Sequence, residues 1–534
     1  MESPIARDFL PSFLFYNYTQ MKKLFNFRPI VILAIAMIVA ISFAIYVFES
    51  ANSKIIMFAI FLIAFFIVTI LASIFKKKFL AMISAILLFV ALPFISVYFR
   101  NNNLKDNAKF ENVNVLLSAK ISGNFKYTTS GNLEILLDDV TLVSGNEISN
   151  IDGKVAIYTV PSKIDLTKIE SGRLVEIKTN LSFYTLDSED ISKSMSYLTR
   201  NIVASGFAMF YNINFLDNFN ETLRDKVCNG VFDLLSSQNV EYAEIGYAMM
   251  FGDSNVLDSD IKNEFRSTGI AHLLAVSGLH VSIIVMIFWF ILRKLKVNYK
   301  INLALSIIFL SIYCYLCNFS VSVIRASLMA VFALYAQVRG KAYDNLSILA
   351  LVAMIVLLID PIEMFNISFV LSFSAVLSII LLSKPLSRLF DKVFYSKVSN
   401  TLALSLSVQI GLFATNLFYF GRYPVLGIFA NIVAIPIATL SFIVLIVGVC
   451  VSAIFPFMAF INQAFSVLMG VVVRFNNWIS SIGVYLRLGS IPLITILLTF
   501  AFMVFVSDYI FIKPKHKAFI GGGLAICLVL AMLI

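Results

Sequence analysis

Two of the chain's three histidines fall in one stretch, Thr268-Gly269-Ile270-Ala271-His272-Leu273-Leu274-Ala275-Val276-Ser277-Gly278-Leu279-His280-Val281-Ser282. On a helix turning about 100° per residue, His272, Ser277 and His280 fall within an arc of about 140°, so three polar groups share one face of an apolar rod. Such a face can exchange protons, and polar groups at the mouth of a membrane span point to function. A histidine spacing of eight does not give the shared-metal geometry of i, i+4, and no carboxylate neighbours the pair in sequence, which argues against a metal site or a catalytic dyad. The plainer reading is a hydrogen bond at a helix start, or an anchor at a membrane interface.

The elements that must position these residues are membrane spans. A chain of 534 residues that is 60% hydrophobic and 13% charged has too few polar side chains to cover a soluble globule. Apolar runs at 30–48, 55–75 and 80–99 predict three spans before a change of texture. Lys76-Lys77-Lys78 fixes the turn between the second and third in the cytoplasm, which puts the N-terminus inside and the segment after Arg100 outside. The first run lacks a small-residue cleavage site and reads as a span.

The segment that emerges alternates apolar and polar residues at 113–121, 133–137, 153–160 and 172–181, with turn chemistry at Ser130-Gly131-Asn132 and Ser144-Gly145-Asn146. With a further short run ending at Val143 before the second turn, five short strands predict a small barrel over 101–186, with an OB-fold as the candidate. Lys120, Lys126, Tyr127, Lys154 and Tyr158 are its candidate contacts to single-stranded nucleic acid. Between residues 108 and 186, however, 9 acids stand against 8 bases, so the case for nucleic acid is thin and a structural cap or partner platform is the favoured reading. Residues 187–268 turn helical, with Leu223, Val227, Val231, Leu234 and Leu235 on one stripe, and predict amphipathic helices on the outer membrane face or against the barrel.

The formal net charge of +10 suggests a polyanion partner until it is divided by region. Residues 101–268 hold 23 acids and 15 bases, while the rest holds 8 acids and 26 bases. The basic excess therefore belongs to the loops of the membrane part, where it sets orientation. From 269 to 534 the spans are read at 270–292, 301–317, 321–338, 348–359, 369–382, 402–420, 425–455, 457–479, 491–511 and a last one from Phe519. The fold class is a polytopic α-helical membrane protein of about thirteen spans with one small outer all-β domain. The 425–455 run is long for one span and carries Asn431 and Pro436, which suggests a broken or re-entrant helix. Five cysteines show no C-x-x-C framework, and Cys314 and Cys317 read as core residues.

The sequence G-x-x-H-L-L-A-V-S-G-L-H at 269–280 resembles the signature of the ComEC family, the inner-membrane channel of bacterial natural transformation. Further similar stretches follow in the family's order: Ser320-Val321-Ser322-Val323-Ile324-Arg325-Ala326, Asp360-Pro361, Ser368-Phe369-Val370-Leu371-Ser372-Phe373, Gln409 to Gly421, Ala430-Asn431 and Ile435-Pro436. The chain departs where the family pattern has Pro at Val321, Gln at Val370 and Pro at Asn416. Many members carry a C-terminal metallo-β-lactamase-like domain, and this sequence stops at Ile534 in a hydrophobic stretch, so a form without it is expected. No H-E-x-x-H and no G-x-x-x-x-G-K-[ST] occurs, so no enzyme, metal or cofactor is expected.

The resemblance implies a bacterial inner-membrane channel that admits one strand of captured DNA, with the barrel periplasmic. It implies a periplasmic DNA receptor, a nuclease acting in trans, and a cytoplasmic helicase or strand-binding proteins as partners, besides membrane lipid; a homo-oligomer stays open. The candidate path residues are His272, Ser277, Gly278, His280, Arg325, Gln409, Asn416 and Asn431. Against this stand snorkelling by Arg325 and interhelical hydrogen bonding by Gln409, Asn416 and Asn431. The alternative from another class is a secondary transporter of a smaller anionic solute, with His272 and His280 as a proton relay.

Overall fold

The computed structural model describes residues 28–510 except 48–50, 112, 124, 129, 145–146, 162–164, 166–167, 170, 188–189, 220–221, 484 and 488–491, together with 516, 520–525 and 527. Three helices open the chain: α1 (Pro29–Tyr46), α2 (Ala51–Phe75) and α3 (Lys78–Asn107). Strands β1 (Asn114–Ile121), β2 (Lys126–Tyr127), β3 (Leu133–Ser144), β4 (Glu147–Asn150), β5 (Lys154–Thr159) and β6 (Arg173–Phe183) follow, then α4 (Ile191–Leu198), β7 (Ile202–Phe207) and β8 (Ile213–Phe219). Helices α5 (Leu223–Ser237), α6 (Ala243–Phe251) and α7 (Ser259–Thr268) lead to α8 (Gly278–Lys294), α9 (Tyr299–Leu316), α10 (Val321–Val338), α11 (Asn345–Ile359), α12 (Ile367–Phe390) and α13 (Ser396–Phe420). A short strand β9 (Arg422–Pro424) precedes α14 (Gly427–Ile454) and α15 (Phe460–Ile482); β10 (Tyr485–Arg487) pairs with β9 before α16 (Leu493–Val506).

Among the described residues, nine helices are long and apolar enough to cross a membrane. This is a polytopic membrane protein. Three further expected spans are shorter here, α8 at 17 residues, α11 at 15 and α16 at 14, and the one from Phe519 lies largely outside the described residues. The run at 425–455 is neither broken nor re-entrant. It forms one helix of 28 residues, roughly 42 Å long, that carries Pro436 inside it.

Strand β1 pairs with both β3 and β6, which closes a ring in the order β1-β3-β5-β7-β6. The β5–β7 pair is parallel and the other pairs in the ring are antiparallel. Alternation fills the ring: Val115, Leu117, Ala119 and Ile121 of β1 are buried, with Asn114 and Leu116 exposed between or beside them. The all-β unit therefore continues past residue 186, because β7 completes the ring and β8 extends β6. Both strands follow a helix, and their alternation is too short to stand out in sequence.

Ion pairs and hydrogen bonds fix this unit to one face of the helical layer. Lys54 and Lys105 both reach Asp187, and the Leu186 N–H donates to Asn101 Oδ1 at 3.0 Å. Asn366 Nδ2 donates to Thr199 O at 3.1 Å, beside the Arg100–Asp360 pair (3.5 Å) that joins α3 to the end of α11. On the opposite face Arg28 meets Asp344 and Arg388 meets Asp508. These contacts agree with one passage per helix from α8 to α16, and they place the starts of α8, α10, α12 and α14 on the β-unit face. The clusters Lys76-Lys77-Lys78, Arg293-Lys294 and Lys384 with Arg388 fall on the other.

At the β-unit face, burial and then the nearby Asp360 charge hold the Glu363 carboxyl up to about 7, although Asn366 and Arg100 act the other way. Glu363 Oε2 is buried without a hydrogen-bond partner. A carboxyl raised from 4.5 binds its proton more tightly in the folded chain, so stability falls as pH rises through the interval up to about 7. Glu363→Gln is expected to raise the thermal midpoint in detergent at pH 8 and to flatten that fall; an unchanged pH profile would show that Glu363 does not sense this junction.

Candidate functional site

The histidine stretch is not one helix. A 3-10 turn, Ala271–Leu274, is followed by extended backbone at Ala275 (φ −126°, ψ 155°) and Ser277 (φ −110°, ψ 167°), and α8 starts at Gly278. The expected shared arc of His272, Ser277 and His280 therefore does not form. The cause is local: the Ser277 N–H donates to His280 Nδ1 at 3.2 Å, so His280 takes the place that Glu or Gln holds in a capping box. His280 is 1% exposed, with its ring 4.3 Å from that of Phe442 on α14. His272 behaves differently. Its side chain is exposed, on the 3-10 turn that leads into α8.

Arg325 on α10 comes to the same helix start. A Cβ on Gly278 would lie 2.6 Å from Arg325 Nη2, so glycine there leaves room for the guanidinium. Arg325 Nη1 donates to Ser372 O at 2.7 Å, Ser322 Oγ donates to Ser372 Oγ at 3.1 Å, and Arg325 Nε is buried with no partner. Arg325 is 5% exposed and does not snorkel. It ties α8, α10 and α12 together near the β-unit face.

A second polar group gathers where the stretch begins. Gly269 has φ +81°, and a Cβ on it would lie 2.6 Å from Pro424 Cγ and 3.4 Å from Gly427 Cα. The Tyr423 hydroxyl donates to Gln409 Oε1, whose amide nitrogen sits against Gly427. Asn431, one turn along α14, is buried with Oδ1 unpartnered. Asn416 is half-buried two turns from Gln409 on the same face of α13. The structure thus brings His280, Gly278 and Arg325 together, and Gly269, Gln409 and Asn431 together, with Asn416 farther along α13.

Three polar groups that the sequence reading left aside also belong here. Thr268 Oγ1 donates to Asn476 Oδ1, and Asn476 is fully buried with Nδ2 unpartnered. Asn462 Nδ2 donates to Gln238 Oε1 at 2.7 Å and to Ser452 Oγ at 3.0 Å. Arg474 is exposed partway along α15, beside Tyr242 across Gly470. The available signal was the spacing: Asn462, Ser466, Asn476 and Ser480 recur on one side of an apolar helix.

The β unit offers fewer free contacts than its sequence suggests. Lys120 is 7% exposed and paired with Asp225 of α5, and Lys154 Nζ donates to Ser122 Oγ at 2.7 Å. The Tyr158 hydroxyl donates to Glu134 Oε1 at 3.2 Å, and burial with the Tyr197 hydrogen bond raises its pKa. Tyr127 is 60% exposed, while the Lys126 side chain lies outside the described residues.

A family model described as competence protein matches residues 249–510, which contain the histidine stretch, Arg325, Gln409, Asn416, Asn431 and Asn476. The chain is 28% identical over 192 residues to ComE operon protein 3 of Bacillus subtilis, covering 36% of this chain and 24% of that protein. It is 31% identical over 214 residues to Recombination protein 2 of Haemophilus influenzae, covering 37% and 27%. An uncharacterized protein of Aquifex aeolicus is 34% identical over 142 residues, covering 26% and 33%. The chain thus matches about a quarter of the length of the first two relatives. No solved structure matches.

Because Gly269 needs both a positive φ and close backbone approach, Gly269→Ala is expected to cost about 2 kcal/mol or more, read as loss of protein from the membrane. His280→Ala should destabilise by about 1 kcal/mol, the worth of a helix cap, while His280→Gln keeps an acceptor for the Ser277 N–H and stays near wild type. Equal loss in both His280 variants would remove capping as the role.

Proposed function

Since this chain belongs to the ComEC family of competence proteins, we propose that it conducts one strand of captured DNA across the inner membrane of a bacterium. One observation carries the reading. Within the matched segment, His272 keeps an exposed polar side chain on the irregular turn by which the chain enters α8. An anionic strand crossing hydrocarbon needs a hydrated, polar route, and irregular backbone at membrane depth is tolerated where it lines such a cavity. The 3-10 turn and extended residues at 271–277 are backbone of that kind. Arg325, Gln409, Asn431 and Asn416 are proposed to border the route, the first two within buried polar contacts.

The orientation proposed is N-terminus cytoplasmic and β unit periplasmic, supported by the basic clusters on the face opposite the β unit. The β unit is proposed to be an OB-fold-like barrel, supported by its ring order and single parallel pair. With Lys120, Lys154 and Tyr158 engaged internally, its proposed role is to seat on the membrane domain and receive the strand from a periplasmic receptor. Conduction is passive; a nuclease in trans prepares the strand, and a cytoplasmic helicase or strand-binding proteins draw it in.

Deleting the gene should leave DNA retained outside the inner membrane while entry to the cytoplasm stops; unchanged entry would sink the reading. His272→Ala, at a side chain that holds no helix cap, should lower transformation by at least about tenfold at unchanged membrane level, the scale of one lost polar contact on the path. Normal transformation in that variant would return His272 to an anchoring role.

A further inference from the structure

Helix α5 does not lie on the membrane surface as its amphipathic sequence suggests. Its first turn is tied to the β-unit face, where Arg224 Nε donates to Leu316 O at the end of α9 at 3.0 Å and Asp225 meets Lys120 of β1. Its last residues reach the opposite face, where Gln238 accepts from Asn462 at 2.7 Å, close to the turn between α14 and α15. Fifteen residues rise about 22 Å, so α5 passes through most of an apolar layer about 30 Å thick. Helix α6 then returns, and the Tyr313 hydroxyl on α9 donates to Met250 O at 2.8 Å near the β-unit face. Together they make a re-entrant helical pair.

One side of α5 is packed: Cys228 and Leu235 are buried, with Val231 and Leu234 against the core. The other side is polar and exposed. Lys226, Asn229, Asp233, Ser236 and Ser237 fall within an arc of about 100°, with exposed Gly230 just beyond its edge. Lys226 lies in the first turn at the β-unit face, but Asp233, two turns deeper, cannot face hydrocarbon without large cost, and such a group turns to water or to protein.

We infer that this polar stripe is a wall of a water-filled path through the membrane, running from beneath the β unit to the opposite face. Its start touches the β unit through Lys120, so a solute leaving that unit meets α5 first. One lysine and one aspartate leave the stripe without net charge, and short amides and hydroxyls give a polyanion no strong foothold, as a conducting wall requires. That the solute is a DNA strand rests on the function proposed above; that the stripe is wet does not.

The test uses the full chain in its membrane with Cys228, Cys314, Cys317, Cys450 and Cys527 replaced by serine. Single variants Asn229→Cys, Asp233→Cys and, as a lipid-facing control, Ile308→Cys on α9 are exposed to a charged, membrane-impermeant thiol reagent. A thiol in water ionises and reacts, whereas one in hydrocarbon stays protonated, so the two stripe positions should react at least about tenfold faster than Ile308→Cys. Reaction no faster than the control overturns the inference. So does efficient disulfide formation between two copies at Asp233→Cys, which would make the stripe a self-association surface. Labelling needs no DNA: a wet stripe in a chain whose deletion leaves DNA entry unchanged sinks the transport reading alone, and a dry stripe sinks this inference alone.

Discussion

The packing of α14 is the constraint on which the membrane domain depends. One face of this helix carries Gly427, Asn431, Ala434, Ala438, Phe442, Leu445, Gly448 and Ser452, most of them small, and all are buried. Thr268 and Gly269 approach at Gly427, His280 at Phe442, Gly246 at Leu445 and Asn462 at Gly448. Small residues let backbones approach closely where lipid gives helices no hydrophobic reason to associate. The segment from α5 to α8 and the helix α15 are therefore held along the length of α14, and the polar groups they carry are brought to membrane depth.

That arrangement explains why polar side chains concentrate in this half of the chain. Each buried amide or guanidinium costs free energy unless something satisfies it, and several here are satisfied in part: Arg325 lacks a partner at Nε, Asn431 at Oδ1 and Asn476 at Nδ2. Their satisfied atoms cross between helices, from Arg325 to Ser372, from Thr268 to Asn476 and from Gln238 to Asn462. The same groups thus fix the helices in register and leave polar atoms for water or a solute.

The β unit is held as firmly as the helices. Asp187 receives Lys54 and Lys105, and although burial alone would raise its carboxyl, these hydrogen bonds and charges keep its pKa below the ordinary value. With the Lys120–Asp225 pair and the Asn366–Thr199 hydrogen bond, the unit is seated on α2, α3, the turn before α12 and the start of α5. A domain seated by three ion pairs is placed, not tethered.

Much of this was legible in the sequence because composition and charge act residue by residue. Apolar runs of span length and the period-two segments needed no partner to be read, and so the membrane class and the presence of a β unit follow from them. The histidine stretch could also be singled out, from its residue types alone. What its residues do was a matter of tertiary contact. Periodicity cannot show that Ser277 and His280 start a new helix, because the hydrogen bond between them breaks an apolar pattern without changing it. Nor can it show that Gly278 makes room for Arg325, 47 residues before the carbonyl that the guanidinium meets. The amphipathic pattern of α5 reads equally as a helix on the surface or as one passing into the layer, and only its two ends, fixed at Leu316 and Asn462, decide between them.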